Sequence, residues 1–140
     1  MAEVLLVDDD DVIRDTIYEL LSQEYLCRTA DSAEQALAHL EAESFDVVLT
    51  DVSMPGLSGL ELLSRVAKYY PDTPVILISG LSDQEHAQAL TELGAFDYLL
   101  KPFRLEVVEK SVRRAIEFRR HNAGARRSQG LGLRETGNQI

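Results

Sequence analysis

The sequence predicts an α/β fold, a doubly wound parallel sheet with helices on both faces. Three observations predict it. Five short apolar runs alternate with five segments of helical spacing between residues 3 and 120. Most of the runs are continuously apolar, as in strands covered on both faces. Helix start and stop residues fall between them, and strict strand-helix alternation calls for right-handed crossovers and a parallel sheet.

The first run is Val4-Leu5-Leu6-Val7, followed by a helix with Val12, Ile13, Ile17, Leu20 and Leu21 on one face and Asp11 at the N-cap position. Tyr25-Leu26-Cys27-Arg28-Thr29 is a less apolar second strand. Ser32 then caps a helix carrying Ala33, Ala36, Leu37 and Leu40, with Gln35 three residues on as a capping box. The third strand, Asp46-Val47-Val48-Leu49-Thr50, leads to a helix with Leu60, Leu63, Val66 and Ala67. Pro71 and Pro74 bracket the turn into Pro74-Val75-Ile76-Leu77-Ile78-Ser79, the fourth strand. A weaker stripe of Ala87, Leu90 and Leu93, capped by Asp83 and ended by Gly94, forms the fourth helix. Asp97-Tyr98-Leu99-Leu100 is the fifth strand, and Leu105, Val108, Val112, Ala115 and Ile116 mark the fifth helix.

With 140 residues and 45% hydrophobic content the chain suits one domain, 1–120. Residues 121–140 carry three arginines, one glutamate and several glycines with little apolar periodicity, and read as a flexible extension or the start of a linker to an effector. The formal charge of −10 argues against direct nucleic-acid binding. Cys27 is the only cysteine, which excludes an intramolecular disulfide and a cysteine-based metal site. No apolar run reaches the roughly 18 residues that span a bilayer and no basic leader precedes the first strand, so a soluble cytoplasmic protein without membrane contact is expected.

In such a sheet ligands bind outside the carboxyl ends of the strands. That rule gathers Asp8 and Asp9 from the first strand, Asp51 from the third, Ser79 from the fourth and Lys101 from the fifth. Three carboxylates held together need a compensating cation or a retained proton. All-oxygen ligands without nearby His or Cys favour a hard ion, and Mg²⁺ fits because it binds few carboxylates and keeps waters for a phosphate-bearing substrate. Lys101 and Ser79 then offer a cation and a hydroxyl to phosphate oxygens. Singly, each residue has a plainer reading: caps and helix-dipole partners for the aspartate run, turn chemistry for Asp51, a strand-end hydroxyl for Ser79 and a solvated amine for Lys101. Their joint placement at one sheet edge carries the functional reading.

Val7-Asp8-Asp9-Asp10, Leu49-Thr50-Asp51-Val52-Ser53-Met54-Pro55-Gly56 with Gly59, Ile76-Leu77-Ile78-Ser79-Gly80 and Tyr98-Leu99-Leu100-Lys101-Pro102-Phe103 resemble, in order and spacing, the receiver domain of two-component response regulators over about residues 3 to 120. The resemblance implies a flavodoxin-like (βα)5 fold with strand order 2-1-3-4-5. It implies a signalling switch rather than an enzyme, in which Asp51 accepts a phosphoryl group from a histidine kinase or phosphotransfer protein. Mg²⁺ would be held by Asp8, Asp9, Asp51 and the backbone carbonyl of Ser53, with Lys101 on the phosphate. Ser79 and Tyr98 match the switch pair, and Pro102 a position whose preceding peptide is usually cis, which aims Lys101 into the pocket. The output face would be helix four, strand five and helix five, meeting an effector protein or domain, with phosphorylation-dependent homodimerisation as a further expectation. Leu81 and Ser53 match positions flanking the phosphate and pull its lifetime in opposite directions.

Two other classes compete. Haloacid dehalogenase-like phosphatases carry Asp-x-Asp-x-Val, which Asp8-Asp9-Asp10-Asp11-Val12 fits, with Asp8 as nucleophile and Asp10 as acid/base. That reading lacks a later acidic pair after a strand and leaves Asp51 idle. A nucleotide- or flavin-binding module of the same topology would need a phosphate-cradling loop where four aspartates stand.

Overall fold

In the computed structural model the chain is described over residues 1–80 and 94–139, with side chains described as far as residue 122. The fourth helix expected around Ala87, Leu90 and Leu93, its cap Asp83, and Leu81 lie outside the described residues.

Five parallel strands form the sheet: β1 Glu3–Val7, β2 Leu26–Ala30, β3 Val47–Asp51, β4 Val75–Ser79 and β5 Asp97–Leu100. Their order is β2-β1-β3-β4-β5, as expected. Helices α1 (Asp11–Leu21), α2 (Ala33–Ala42), α3 (Gly59–Tyr69) and the C-terminal helix (Leu105–Gln139) are described beside it.

The pleat explains why the strands read as unbroken apolar runs. Leu5, Val7, Val48, Val75 and Leu77 face a core completed by α2 and α3, with Ala36, Leu40, Leu62, Leu63 and Val66. The alternate residues Val4, Leu6, Val47, Leu49, Ile76 and Ile78 face a second core with Ile17 and Leu21 of α1 and Val108, Val112, Ala115 and Ile116 of the C-terminal helix. Both sheet faces are therefore dry. β2 is less apolar because it is an edge strand, with Leu26 exposed.

Capping follows the sequence with one shift. Asp10, not Asp11, is the N-cap of α1: its carboxylate accepts from the amides of Val12 and Ile13, and Asp11 is the first helical residue. Ser32 caps α2 through the Gln35 amide at 3.1 Å, while Gln35 Oε1 accepts from the Asp31 amide at 2.8 Å.

The C-terminal helix is fastened near the amino ends of the strands. Asp97 accepts from Ser111 Oγ at 2.7 Å and from Arg114 at 3.2 Å, and Asp46 accepts from Arg119 at 3.1 Å. The helix continues to Gln139, beyond the point where an aperiodic extension was expected. Once packed residues have nucleated a helix, each added turn needs backbone hydrogen bonds but no buried stripe.

Candidate phosphoacceptor site

The strand register brings β1, β3, β4 and β5 to a common edge. Thr50 pairs with Val7 and Leu77, Asp51 with Ile78, and Ser79 with Leu100. Asp8 directly follows β1, its amide still bonded to the Ala30 carbonyl at 3.1 Å. Asp8 is 3% exposed and Asp51 5%, whereas Asp9 is exposed. Carboxylate oxygens from Asp8, Asp9 and Asp51 lie within 4.8 Å of one another.

Lys101 reaches the same point. Its Nζ stands 3.5 Å from Asp51 Oδ2 and 3.9 Å from Asp8 Oδ2. Its amide donates to the Ser79 carbonyl at 2.7 Å, which ties the ends of β4 and β5 together, and the Lys101-Pro102 peptide is cis, as expected. Ser79 is fully buried, and its hydroxyl lies 3.3 Å from the Gly80 carbonyl. The Ser53 amide lies 3.4 Å from Asp51 Oδ1. Tyr98 sits apart from this cluster: its ring packs against the α2 and α3 core, and its buried hydroxyl has no hydrogen-bond partner among the described residues.

The electrostatics are those of an overloaded anionic pocket. Burial raises the Asp8 carboxyl from 3.8 to about 6; the Asp51 and Asp9 charges add to the rise, and the Asp10 amide and Lys101 oppose it. Asp51 is also raised, again chiefly by burial, with Lys101 opposing. Among the described residues a single amine faces three carboxylates, and Asp8 Oδ2, 3.9 Å from Lys101 and so beyond hydrogen-bond reach, is buried without a hydrogen-bond partner. An all-oxygen cluster with an unsatisfied buried lone pair suits a hard divalent cation, and Mg²⁺ fits it.

Backbone contacts shape the loops around Asp51. Gly59 donates to the Val52 carbonyl at 2.9 Å, and a Cβ at Gly59 would lie 2.1 Å from the Asp51 carbonyl oxygen. Across the next turn, where Gly56 has φ +78°, Glu34 of α2 accepts from the Leu57 amide at 2.9 Å. Arg14 donates to the Asp8 carbonyl at 2.8 Å. The roles of Glu34 and Arg14 escaped the sequence reading; the only trace of either was the three-residue spacing of Asp11 and Arg14 on one helix face.

Residues 4–113 match the family model of the response regulator receiver domain. The chain belongs to that family. This receiver is 40% identical over 114 residues to the DNA-binding transcriptional regulator NtrC of Proteus hauseri, covering 81% of the chain and 24% of that protein. It is 36% identical over 139 residues to the C4-dicarboxylate transport transcriptional regulatory protein DctD of Rhizobium meliloti, covering 93% and 30%. The receiver thus spans about a quarter to a third of the length of these curated relatives. Among solved structures, a response regulator receiver domain protein from Clostridium thermocellum superposes with TM-score 0.79 at 33% identity, over 84% of this chain and 95% of that one. The receiver domain of NtrX from Brucella abortus gives TM-score 0.78 at 36% identity, over 81% and 98%.

The fold is therefore the flavodoxin-like receiver fold, and the role is that of a phosphoacceptor switch in two-component signalling. The phosphatase and the nucleotide- or flavin-binding readings give way to it. Receivers of this family bind Mg²⁺ at an acidic pocket and work with histidine kinases and effector domains. Among the described residues no helix is long and apolar enough to cross a membrane.

Proposed function

We propose that Asp51 accepts the phosphoryl group of a phosphohistidine presented by a sensor histidine kinase or phosphotransfer protein. The observation that carries this reading is the Lys101 amine, 3.5 Å from Asp51 and 3.9 Å from Asp8, over the buried carboxylate cluster. Asp51 Oδ attacks phosphorus, the P–N bond to the imidazole breaks as the P–O bond forms, and the imidazole leaves as the donor's free histidine. Asp51 is a modest nucleophile, so alignment and charge neutralisation supply most of the rate. Asp8, Asp9, Asp51 and the Ser53 carbonyl would hold Mg²⁺, which neutralises phosphoryl oxygens when bound. Lys101 exchanges its carboxylate contacts for a phosphoryl oxygen, and Ser79 turns its hydroxyl toward the new group.

Ser79 and Tyr98 form the switch pair. Among the described residues the buried Tyr98 hydroxyl has no hydrogen-bond partner, so none of them opposes reorientation of the ring. The altered face includes β5 and the C-terminal helix, where Phe118 is exposed and its ring lies 5.2 Å from that of Phe96, tilted by 51°; the expected fourth helix lies outside the described residues. An effector domain or protein, or a second copy of the chain, would read this face. NtrC and DctD are named as transcriptional regulators, which supports an output of that kind. In this reading residues 1–120 are the switch and 121–140 an extension or linker, and the receiver acts in the cytoplasm, its own part being phosphorylation and slow dephosphorylation without direct contact of these 140 residues with nucleic acid.

The test is intact-protein mass after incubation with Mg²⁺ and a small acyl phosphate donor. A phosphate adduct that is labile to hydroxylamine, requires Mg²⁺ and is lost in Asp51→Asn is expected. An adduct that persists in Asp51→Asn overturns the assignment.

A further inference from the structure

Four consecutive aspartates, Asp8 to Asp11, occupy the turn from β1 into α1, and mutual repulsion should splay them. Hydrogen bonds tie three of them down. The Asp8 carboxylate accepts from the Asp10 amide at 2.9 Å, and the Asp10 carboxylate is used as the helix cap. Asp11 is held at 2.6 Å by Nη2 of Arg14. Nη1 of the same guanidinium turns back along the helix to donate to the main-chain carbonyl of Asp8 at 2.8 Å. The Arg14 side chain is only 16% exposed, and its guanidinium is held by two residues of the turn it braces, Asp8 and Asp11. Its charge is directed at a backbone oxygen and at Asp11, outside the Asp8, Asp9 and Asp51 cluster.

We infer that Arg14 is a positioning residue for the cation site. By holding the Asp8 carbonyl it sets the path of the Asp8-Asp9-Asp10 turn, and so keeps the Asp8 and Asp9 carboxylates convergent on Asp51. The inference rests on the proposed function, which makes this cluster the Mg²⁺ site. Groups that orient metal ligands from outside the coordination shell are commonly worth about tenfold or more in metal affinity. Geometry and charge predict opposite signs here. As a mere positive charge near the pocket, Arg14 repels a divalent cation, and its removal tightens binding. As a brace, its removal loosens binding.

The experiment is isothermal titration of the full chain with MgCl2 alone, at pH 8, on the parent, Arg14→Met and Arg14→Lys proteins. Urea midpoints report on folding, and adduct formation from the acyl phosphate donor is followed against Mg²⁺ concentration. Arg14→Met is expected to weaken Mg²⁺ binding about tenfold, while the adduct rate at saturating Mg²⁺ stays within about twofold of the parent. Arg14→Lys retains the charge but cannot span both acceptors, and is expected to weaken binding severalfold. Should Arg14→Met fail to fold, Arg14→Lys carries the test, because a pure charge role leaves its affinity unchanged. Unchanged or tighter Mg²⁺ binding in folded Arg14→Met, or parent affinity in Arg14→Lys, overturns the inference while leaving the phosphoacceptor reading intact. A parent protein that binds no Mg²⁺ overturns the cation site itself and the role of Arg14 with it.

Discussion

Replacing Asp8 with Asn should make the metal-free protein more stable, although it removes a residue that the proposed function requires. The Asp8 carboxyl is almost fully buried beside Asp9 and Asp51, and burial lifts it from 3.8 to about 6. Below about pH 4 it is protonated in both folded and unfolded chains and contributes no difference. As the pH rises, the unfolded chain releases this proton first and the folded protein retains it to about 6, so ionisation disfavours the folded state. Above about pH 6 the whole penalty stands. At about 1.4 kcal/mol per pH unit, the rise corresponds to at most about 3 kcal/mol, and local relaxation brings the expected gain to about 1–3 kcal/mol. The substitution keeps an oxygen for the Asp10 amide now 2.9 Å away and leaves Lys101 to Asp51 alone, so little packing is lost. Urea unfolding in EDTA, followed by circular dichroism, measures the effect. At pH 7.5 the Asp8→Asn midpoint should rise by about 1 M, with the gap closing near pH 4. Excess Mg²⁺ should narrow or reverse the order, because the parent gains ligand linkage. A variant equal to or weaker than the parent in EDTA at pH 7.5 would refute the argument that the pocket holds a penalised charge.

Other expectations test the frame around the site. Gly59→Ala places a methyl against the Asp51 carbonyl and the Val52 Cα, both backbone, and should cost about 3 kcal/mol or more and about 10 °C in thermal midpoint. A loss under 1 kcal/mol would show that the turn yields easily. Cys27, whose thiol burial lifts from 9.0 to about 11, should alkylate at pH 8 about a hundredfold more slowly in the native protein than in urea, by mass spectrometry; equal rates would contradict its burial.

Much of this architecture was legible because the physics that buries a strand on both sides also writes a continuous apolar run. Val75–Ser79 is buried at every position, and its sequence says so without ambiguity. Alternatives crowd in where one residue type repeats. In the four-aspartate run any member satisfies the rule for a cap, and only the backbone path selects Asp10. Val12, grouped with the helical stripe of α1, is 74% exposed while Ile13 in the same turn packs on the core, because about 3.6 residues per turn place Val12 roughly 80° or more around the helix from Ile13, Ile17, Leu20 and Leu21. At the site, Asp8, Asp9, Asp51 and Lys101 were gathered correctly by the strand-end rule. Arg14 and Glu34 were not, since each acts on a main-chain atom of another segment. No side-chain pattern marks the receiving end of such a bond.

The sheet also divides the protein energetically. Leu5 and Leu6 are chain neighbours, but one belongs to the core of α2 and α3 and the other to the core of α1 and the C-terminal helix. Leu5 and Val48, far apart in the chain, are register partners on the same face. Truncating Leu5 together with Leu6 should therefore give nearly additive losses, whereas Leu5 with Val48 should show interaction energy in a double-mutant cycle. Covalent adjacency in this protein is a poor guide to thermodynamic kinship, and what happens in one half-layer reaches the other only through the backbone they share.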